Sequence, residues 1–520
     1  MEVRRSWINE TFRWLGQPAS RWFLLCCWVG VFAAFALSRL PFLVYYYLPV
    51  WAEDTWGYFA PVAQLLDGEV PLFDIRTPGY PLFLWAIYLI GGDVDWVPVA
   101  QMAATLAGAL FLVHAVARAY GRMALLAAVA MAGFVSSSTS VWYDGYLGPE
   151  SLYSSSLMLI AALLIRIVRE RKPRDYLALS CAIALAIMIR PAGLYLIVSS
   201  LLVLIYLAAR QVQLRRVILA FLPLPMSLLA LCSYNYLTCD KFSLNPFGVM
   251  NLTAATSTYW AEDPSLPAEY NEAIRAQNAL IREDDRSVLQ NEWDLNRLYG
   301  IYDRYYNESI YRGPLSRLPV DYDVRGKIAL IAIKSDPGQY LKFIATQLHA
   351  YNIKNISYRA GYYTLLHYSY GSIMVARKFA DAEMFRRFFA SNNDGRSNLP
   401  YYKVEMVANG RAEVRTIDTL VKRIHLAFLG LQEIIFRQKI WGFAFLPVVL
   451  LSAVQWLRTR FVDERYSLIF SIASLHFGAG LLVAMVEESL WRYSYPTEFA
   501  CYLSMALVPL LFVRNKDMAS

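Results

Sequence analysis

Long apolar segments constrain this chain more than any other feature of its sequence. A helix that crosses the hydrocarbon core of a membrane needs about 20 mostly apolar residues, because each backbone amide must be bonded within its own segment. The 520 residues are 57% hydrophobic and only 17% charged. The sequence therefore predicts an all-α polytopic membrane protein with about ten transmembrane helices. The predicted spans are residues 22–37, 97–116, 123–135, 151–167, 176–188, 194–209, 217–237, 440–457, 468–486 and 499–513.

Positive charge is distributed unevenly between the two sides of these spans. The short loops on one side hold 19 lysines and arginines, whereas those on the other side hold only Arg39, Arg76, Arg190 and Arg492. Short loops rich in Lys and Arg stay in the cytoplasm. Both chain ends are therefore expected in the cytoplasm, and the four arginines on the opposite side. No basic stripe with interleaved aromatic residues indicates a nucleic-acid partner.

Two of the outward regions are longer than ordinary connections. The first loop spans residues 39–96, and an α-rich or mixed insert spans residues 240–437. Within the insert, Asp336 followed by proline predicts a helix start, and residues 420–435 form a second amphipathic stretch. We expect both helices at the membrane surface. The predicted domains are an N-terminal transmembrane module at 1–239, a periplasmic domain at 240–437 and C-terminal transmembrane helices at 438–520.

The first loop carries the most informative motifs, which are WAEDTWGY at 51–58, LLDG at 65–68 and DIRTPGYP at 74–81. Its adjacent carboxylates, Glu53 and Asp54, lie in the loop that follows the first span and are expected just outside the membrane. A carboxylate there can act as a general base toward an acceptor hydroxyl or amine. The alternative is a solvated acidic pair that caps a helix at residues 55–66.

The second loop, between the third and fourth spans, contains two further carboxylates. It reads SVWYDGYLGPESLY at 140–153, and Asp144 and Glu150 are its acidic residues. Glu150 opens the fourth helix, where a negative charge is favourable beside the positive helix N-terminus. That capping role is the alternative to a functional one.

Arg190, followed by proline, interrupts an apolar stretch at the outward end of the fifth span. An ionisable residue at such depth is a functional candidate, and arginine binds phosphate oxygens through two parallel N–H groups. Arg76 and Arg492, the latter in EESLWRYSYP at 487–496, are its rivals. The alternative for each is an arginine that snorkels to the interface or pairs with Glu487 or Glu488.

The order of these motifs resembles the GT-C membrane glycosyltransferases, in the branch of the lipid A aminoarabinose transferases and protein O-mannosyltransferases. An acidic residue just beyond the first helix, Tyr58 four residues after Asp54, a glycine ending a short helix and PGYP entering the next element are similar to that family's first periplasmic loop. The resemblance covers about residues 22–210, and the final helices more loosely. It departs from the aminoarabinose transferases after the seventh helix, where those enzymes have more helices.

The resemblance implies an inverting transfer of a sugar from a polyprenyl phosphate. Asp54 aligns best with the family's catalytic carboxylate and Glu53 is the fallback, while Asp144 and Glu150 would help to shape the cavity. The predicted substrate-binding residues are Tyr58, Arg76, Tyr80, Asp144, Glu150, Arg190 and Arg492. The acceptor stays open between lipid A, another glycan such as arabinan or O-antigen, and a protein.

The sequence thus predicts a bacterial inner-membrane glycosyltransferase in contact with membrane lipids, with its chemistry at the periplasmic face. It would act in lipopolysaccharide or other cell-envelope glycan modification. No cofactor is indicated, and a divalent cation held by carboxylates stays open as an alternative. Two rival functions also remain: an O-antigen ligase or polymerase that uses a diphosphate-linked glycan, and a flippase or other transporter of lipid-linked sugars.

Overall fold

The computed structural model describes residues 10–11, 14–45, 55–91, 96–210, 214–351, 438–486 and 494–511. The regular elements of these residues are helices, so the predicted all-α class is confirmed for the described part of the chain. The predicted amphipathic stretch at 420–435 lies outside these residues. So do Glu53, Asp54 and Arg492.

Eleven helices form the N-terminal part of the chain, up to residue 239, within its described residues. They are α1 (Arg21–Tyr45), α2 (Thr55–Leu66), α3 (Gly79–Gly91), α4 (Trp96–Tyr120), α5 (Ala124–Val135), α6 (Ser138–Gly145), α7 (Glu150–Glu170), α8 (Pro173–Ile189), α9 (Leu196–Ala209), α10 (Leu214–Phe221) and α11 (Pro223–Cys239). A 3-10 turn, Pro191–Tyr195, joins α8 to α9. The helix predicted at 55–66 and the helix start predicted at Glu150 are both confirmed.

Six ranges of the described residues are long and apolar enough to cross a membrane. They are Arg21–Leu40, Trp96–Val135, Glu150–Glu170, Pro191–Ala209, Arg215–Cys239 and Glu464–Val486. The chain is therefore a multi-pass membrane protein. Trp96–Val135 is 40 residues long and contains two of the predicted spans. The finer number of about ten stays a prediction, since α8 has only 17 residues and a span takes about 20.

Gly121 divides the apolar range Trp96–Val135 into α4 and α5. Its φ of +59° lies in the left-handed region that favours glycine. A Cβ here would also come within 2.1 Å of the carbonyl oxygen of Gln17. The chain turns at this residue through the 3-10 segment Gly121–Met123, and the two helices then pack against each other.

The core of the membrane part is centred on α7. In the apolar stretch of α7, 83% of the residues are buried, whereas in that of α1 only 28% are buried. α4 packs along α7, and α8 and the late helix Glu464–Val486 contact it as well. Both loops with predicted site residues adjoin this central helix. The second loop leads into its first turn, and Leu152 in that turn packs against a cluster that includes Tyr58 and Phe59 of the first loop.

The described part of the predicted periplasmic insert, residues 240–351, is also helical. Its helices are α12 (Gly248–Ala255), α13 (Ala268–Leu280), α14 (Glu283–Asn291), α15 (Leu295–Tyr311), α16 (Tyr322–Ser335) and α17 (Pro337–His349). The helix start predicted at Asp336 is confirmed, because the Asp336 carboxylate accepts a hydrogen bond from the Gln339 backbone at 2.9 Å. The position of this helix on a membrane surface stays a prediction.

Three helices complete the described residues: α18 (Gln438–Arg458), α19 (Glu464–Val486) and α20 (Glu498–Leu507). The insert reaches them through α17, where the Tyr340 hydroxyl donates to the backbone oxygen of Met485 at 2.6 Å. Short 3-10 turns, Tyr495–Thr497 and Val508–Leu511, flank α20. The predicted domain boundaries at 239 and 437 stay predictions.

Candidate functional site

A buried ion pair joins the start of α7 to the end of α8. Arg190 is the first residue after α8 and has an extended backbone, with the proline of the next 3-10 turn behind it. Its Nη1 donates to Oε1 of Glu150 at 3.3 Å, and the two residues are only 8% and 3% exposed. The predicted break at this proline is confirmed. The partner is Glu150, a pairing that the sequence analysis did not anticipate.

The first loop packs against the last turn of α8, directly before Arg190. A Cβ on Gly79 would lie 2.5 Å from the carbonyl carbon of Met188, so only glycine lets α3 approach the end of α8 this closely. The contact brings the next residue, Tyr80, beside the second loop. Tyr80 is fully buried, and its hydroxyl group donates to Oε1 of Gln101 at 3.0 Å.

Arg76 and two tyrosines form a stack at the start of α2. The Arg76 guanidinium lies over the Tyr58 ring, 4.8 Å from its centroid. The Tyr58 and Tyr80 rings meet edge to face at a centroid distance of 5.2 Å. The structure therefore places five of the predicted substrate-binding residues around one point where α2, α3, α7 and α8 meet, which are Tyr58, Arg76, Tyr80, Glu150 and Arg190.

Thr55 connects α2 to the second loop. Its hydroxyl group is buried and donates to the backbone oxygen of Leu147 at 3.1 Å. The predicted catalytic carboxylates, Glu53 and Asp54, precede Thr55 in the sequence and lie outside the described residues. The structure thus anchors the residue that follows them, and their catalytic role stays a prediction.

Asp144 lies in a separate cluster of buried polar groups. Its Oδ2 accepts hydrogen bonds from Arg39, at 2.5 Å from Nη2 and 3.2 Å from Nε. Its Oδ1 accepts from the hydroxyl groups of Thr105 and Ser151 at 2.8 and 2.5 Å. Asp144 is completely buried, so these protein donors surround it and join α1, α4 and α7. Its predicted role in substrate binding stays untested by this arrangement.

From the sequence, Arg39 is expected only as a loop charge, and neither Gln101 nor Thr105 of α4 is predicted as a site residue. Both residues of α4 are completely buried, and their spacing of four places them on one helix face. Polar residues within an apolar span are functional candidates by default, so this spacing was the available signal. This signal is weak, because nothing in the sequence indicates what the helix face with Gln101 and Thr105 contacts.

A late segment of the chain completes the wall of this region. The ring of Tyr495 stacks on that of Tyr143 in the second loop, with centroids 4.6 Å apart. Arg492, three residues earlier, lies outside the described residues. Within the described ranges, no group of three or more His, Cys, Asp and Glu side chains is placed to hold a metal ion.

Comparison with known proteins gives one family. Residues 75–235 match the family described as dolichyl-phosphate-mannose-protein mannosyltransferase. The match confirms the predicted resemblance to the GT-C membrane glycosyltransferases. It covers Arg76, Tyr80, Asp144, Glu150 and Arg190, and begins after the predicted catalytic carboxylates. No curated protein sequence matches the chain.

Solved structures similar to this chain include ArnT from Cupriavidus metallidurans bound to undecaprenyl phosphate. Its identity is 13% and its TM-score 0.35, over 91% of this chain and 77% of that one. A second is the Archaeoglobus fulgidus oligosaccharyltransferase in complex with zinc and sulfate. Its identity is 10% and its TM-score 0.36, over 94% of this chain and 50% of that one. The family match, and not these distant structures, supports the functional argument.

Proposed function

Since residues 75–235 match the family described as dolichyl-phosphate-mannose-protein mannosyltransferase, we propose that this chain is a membrane glycosyltransferase that transfers a sugar from a polyprenyl phosphate. The acceptor is a lipid, a glycan or a protein at the outer face of a bacterial inner membrane. Its hydroxyl or amine attacks the anomeric carbon, and the polyprenyl phosphate leaves with inversion. Asp54 takes the proton of the acceptor.

The observation that carries this proposal is that the first loop packs against the second loop and against the end of α8, beside the Glu150–Arg190 pair. Tyr58, Arg76 and Tyr80 come from the first loop, and the buried pair comes from the ends of two core helices. The site thus combines two cations, which suit a phosphate, with tyrosine rings, which suit the faces of a sugar. Thr55 brings the start of α2 to the same place.

Arg190 is the proposed ligand of the donor phosphate. A guanidinium carries five N–H donors in a rigid fork, so it can bind a carboxylate and a phosphate oxygen together. Glu150 holds Arg190 in place, since a buried charge needs a fixed partner. As the sugar–phosphate bond breaks, negative charge grows on the phosphate and is stabilised by this preorganised cation.

A transfer assay tests this proposal directly. We expect the purified protein, in bilayers that contain a panel of radiolabelled polyprenyl-phosphate sugars, to release polyprenyl phosphate and label an acceptor in added envelope extract. Empty bilayers provide the background. Two results would overturn the proposal. Use of a diphosphate-linked glycan alone would indicate a ligase or polymerase, and movement of the intact donor across the bilayer would indicate a transporter.

The orientation of the proposed site is tested by labelling single cysteines with an impermeant thiol reagent, in a variant without native cysteines. Positions Glu69 and Asn291 are exposed and should be labelled in intact cells. Arg174 and Arg460, which are exposed on the opposite side of the predicted spans, should be labelled only after permeabilisation. Labelling at Arg174 in intact cells would contradict the topology.

A further inference from the structure

Gln101 links the two loops by hydrogen bonds. Its Nε2 lies 3.2, 3.0 and 2.9 Å from the backbone oxygens of Tyr143, Asp144 and Tyr146 in the second loop, and its two N–H groups are shared among these three acceptors. Its Oε1 accepts from the hydroxyl group of Tyr80 in the first loop at 3.0 Å. Gln101 and Tyr80 have no exposed surface, so water does not compete for these bonds.

The Gln101 contacts hold irregular backbone inside the protein. The second loop bends between α6 and α7, where its carbonyl groups have no helical partner. A buried carbonyl group without a partner is costly. The amide of Gln101 supplies donors to the carbonyl groups of Tyr143 and Asp144, and it also lies against that of Tyr146, which accepts from the Gly148 backbone as well. The hydrogen bond from Thr55 to the backbone oxygen of Leu147 holds the next residue of the same loop. The loop backbone from 143 to 147 is therefore held from α4 and from the first loop.

We infer that Gln101 is a positioning residue that sets the distance between the two loops of the catalytic site. This inference rests on the proposed function, in which the first loop carries the base and the second loop leads to the phosphate-binding pair. Gln101 acts through Tyr80 and the loop backbone and does not itself touch substrate. A displacement of about 1 Å between reacting groups costs on the order of a hundred-fold in rate.

Gln101→Met tests the inference, because methionine has a similar length and volume but forms none of the hydrogen bonds of the Gln101 amide. We expect kcat per folded enzyme to fall by about ten-fold to a hundred-fold, with the donor KM changed by less than about three-fold. A residue that only supports folding would lower the yield of protein and leave kcat per folded enzyme unchanged. That outcome would overturn the inference.

Tyr80→Phe removes only the hydrogen bond between the Tyr80 hydroxyl group and Gln101, and it keeps the ring. We expect a smaller fall in kcat than for Gln101→Met, and a double variant no worse than Gln101→Met alone, because Tyr80 acts through Gln101. If the two losses multiply in the double variant, the Tyr80 hydroxyl acts independently and the coupling is disproved. If Gln101→Met does not fold, the fall in kcat of Tyr80→Phe alone still tests the inference, and an unchanged kcat would overturn it.

Amide hydrogen exchange separates this inference from the proposed function. Amide exchange at residues 143–147 should be faster in Gln101→Met, whatever the substrate. The hydrogen bonds from Gln101 to the loop carbonyl groups are lost, so this backbone opens more often. Unchanged exchange there would refute the positioning role. Quickened exchange in a protein that transfers no sugar would refute only the proposed function. Gln339→Met is the matched control, since it removes a glutamine bond to the Leu289 backbone within the insert. It should change neither kcat nor the exchange at residues 143–147.

Discussion

Asp54→Asn is expected to lower sugar transfer by about a hundred-fold to ten-thousand-fold, the usual cost of removing a general base. Asparagine keeps the size of aspartate but cannot take a proton from the acceptor. It caps a helix about as well as aspartate does, so expression and membrane insertion should be unchanged. The measurement is the initial rate of transfer from a polyprenyl-phosphate sugar, normalised to folded protein.

Two neighbouring carboxylates serve as controls for Asp54. Glu53→Gln should be milder, and Glu69→Gln, at an exposed position of the same loop, should transfer normally. If Glu53→Gln is inactive and Asp54→Asn is normal, the base is Glu53 and the mechanism stands. If both single variants and the double variant transfer normally, the first loop is not catalytic, and a transporter becomes the better account of the chain.

Arg190→Ala is expected to reduce use of the lipid donor by about thirty-fold to several thousand-fold. This corresponds to about 2–5 kcal/mol for the loss of a charged contact to phosphate. Arg190→Lys keeps the charge but loses the planar fork, so its loss should be smaller. Initial rates at varied donor concentration provide the measurement. Unchanged donor kinetics in both variants would move the assignment to Arg76 or Arg492.

The ion pair with Glu150 gives Arg190→Ala a second effect, because it leaves a carboxylate buried without its partner. The double variant Arg190→Ala with Glu150→Gln removes that charge. We expect it to recover folded protein but not transfer. Recovery of transfer would show that Arg190 only compensates Glu150. Arg166→Ala is the matched control, since it breaks the ion pair to Asp175 at the other end of α7 and should leave donor use unchanged.

The family match and the structure support different parts of the site. The match begins at residue 75, so it includes Arg76 and the Glu150–Arg190 pair but leaves out Asp54 and Tyr58. The structure adds Tyr58 through its contact with Arg76. Asp54 is supported only by its place in the sequence before Thr55, which makes the asparagine variant the most informative single experiment.

Much of the local structure was predictable from the sequence. Helix α2 begins and ends where the motif spacing predicts, α7 begins at Glu150, and α17 begins after its Asp336 cap. These features depend on residues within one helical turn, through hydrogen bonds from caps and the fixed φ of proline. The apolar spans are predictable for the same reason. A bilayer contains no water to bond the backbone, so each spanning segment must satisfy its own backbone groups as a helix.

The pairings of the site were decided only by the tertiary structure. Glu150 and Arg190 are 40 residues apart, and Arg39 and Asp144 are 105 residues apart. No local pattern states which helix faces meet, because that choice depends on how all the core helices pack around α7 together. The sequence by itself determined an all-α membrane protein with chemistry-bearing loops. Packing alone determined that Gln101 ties those loops together, and that Arg190 lies against Glu150 and Asp144 against Arg39.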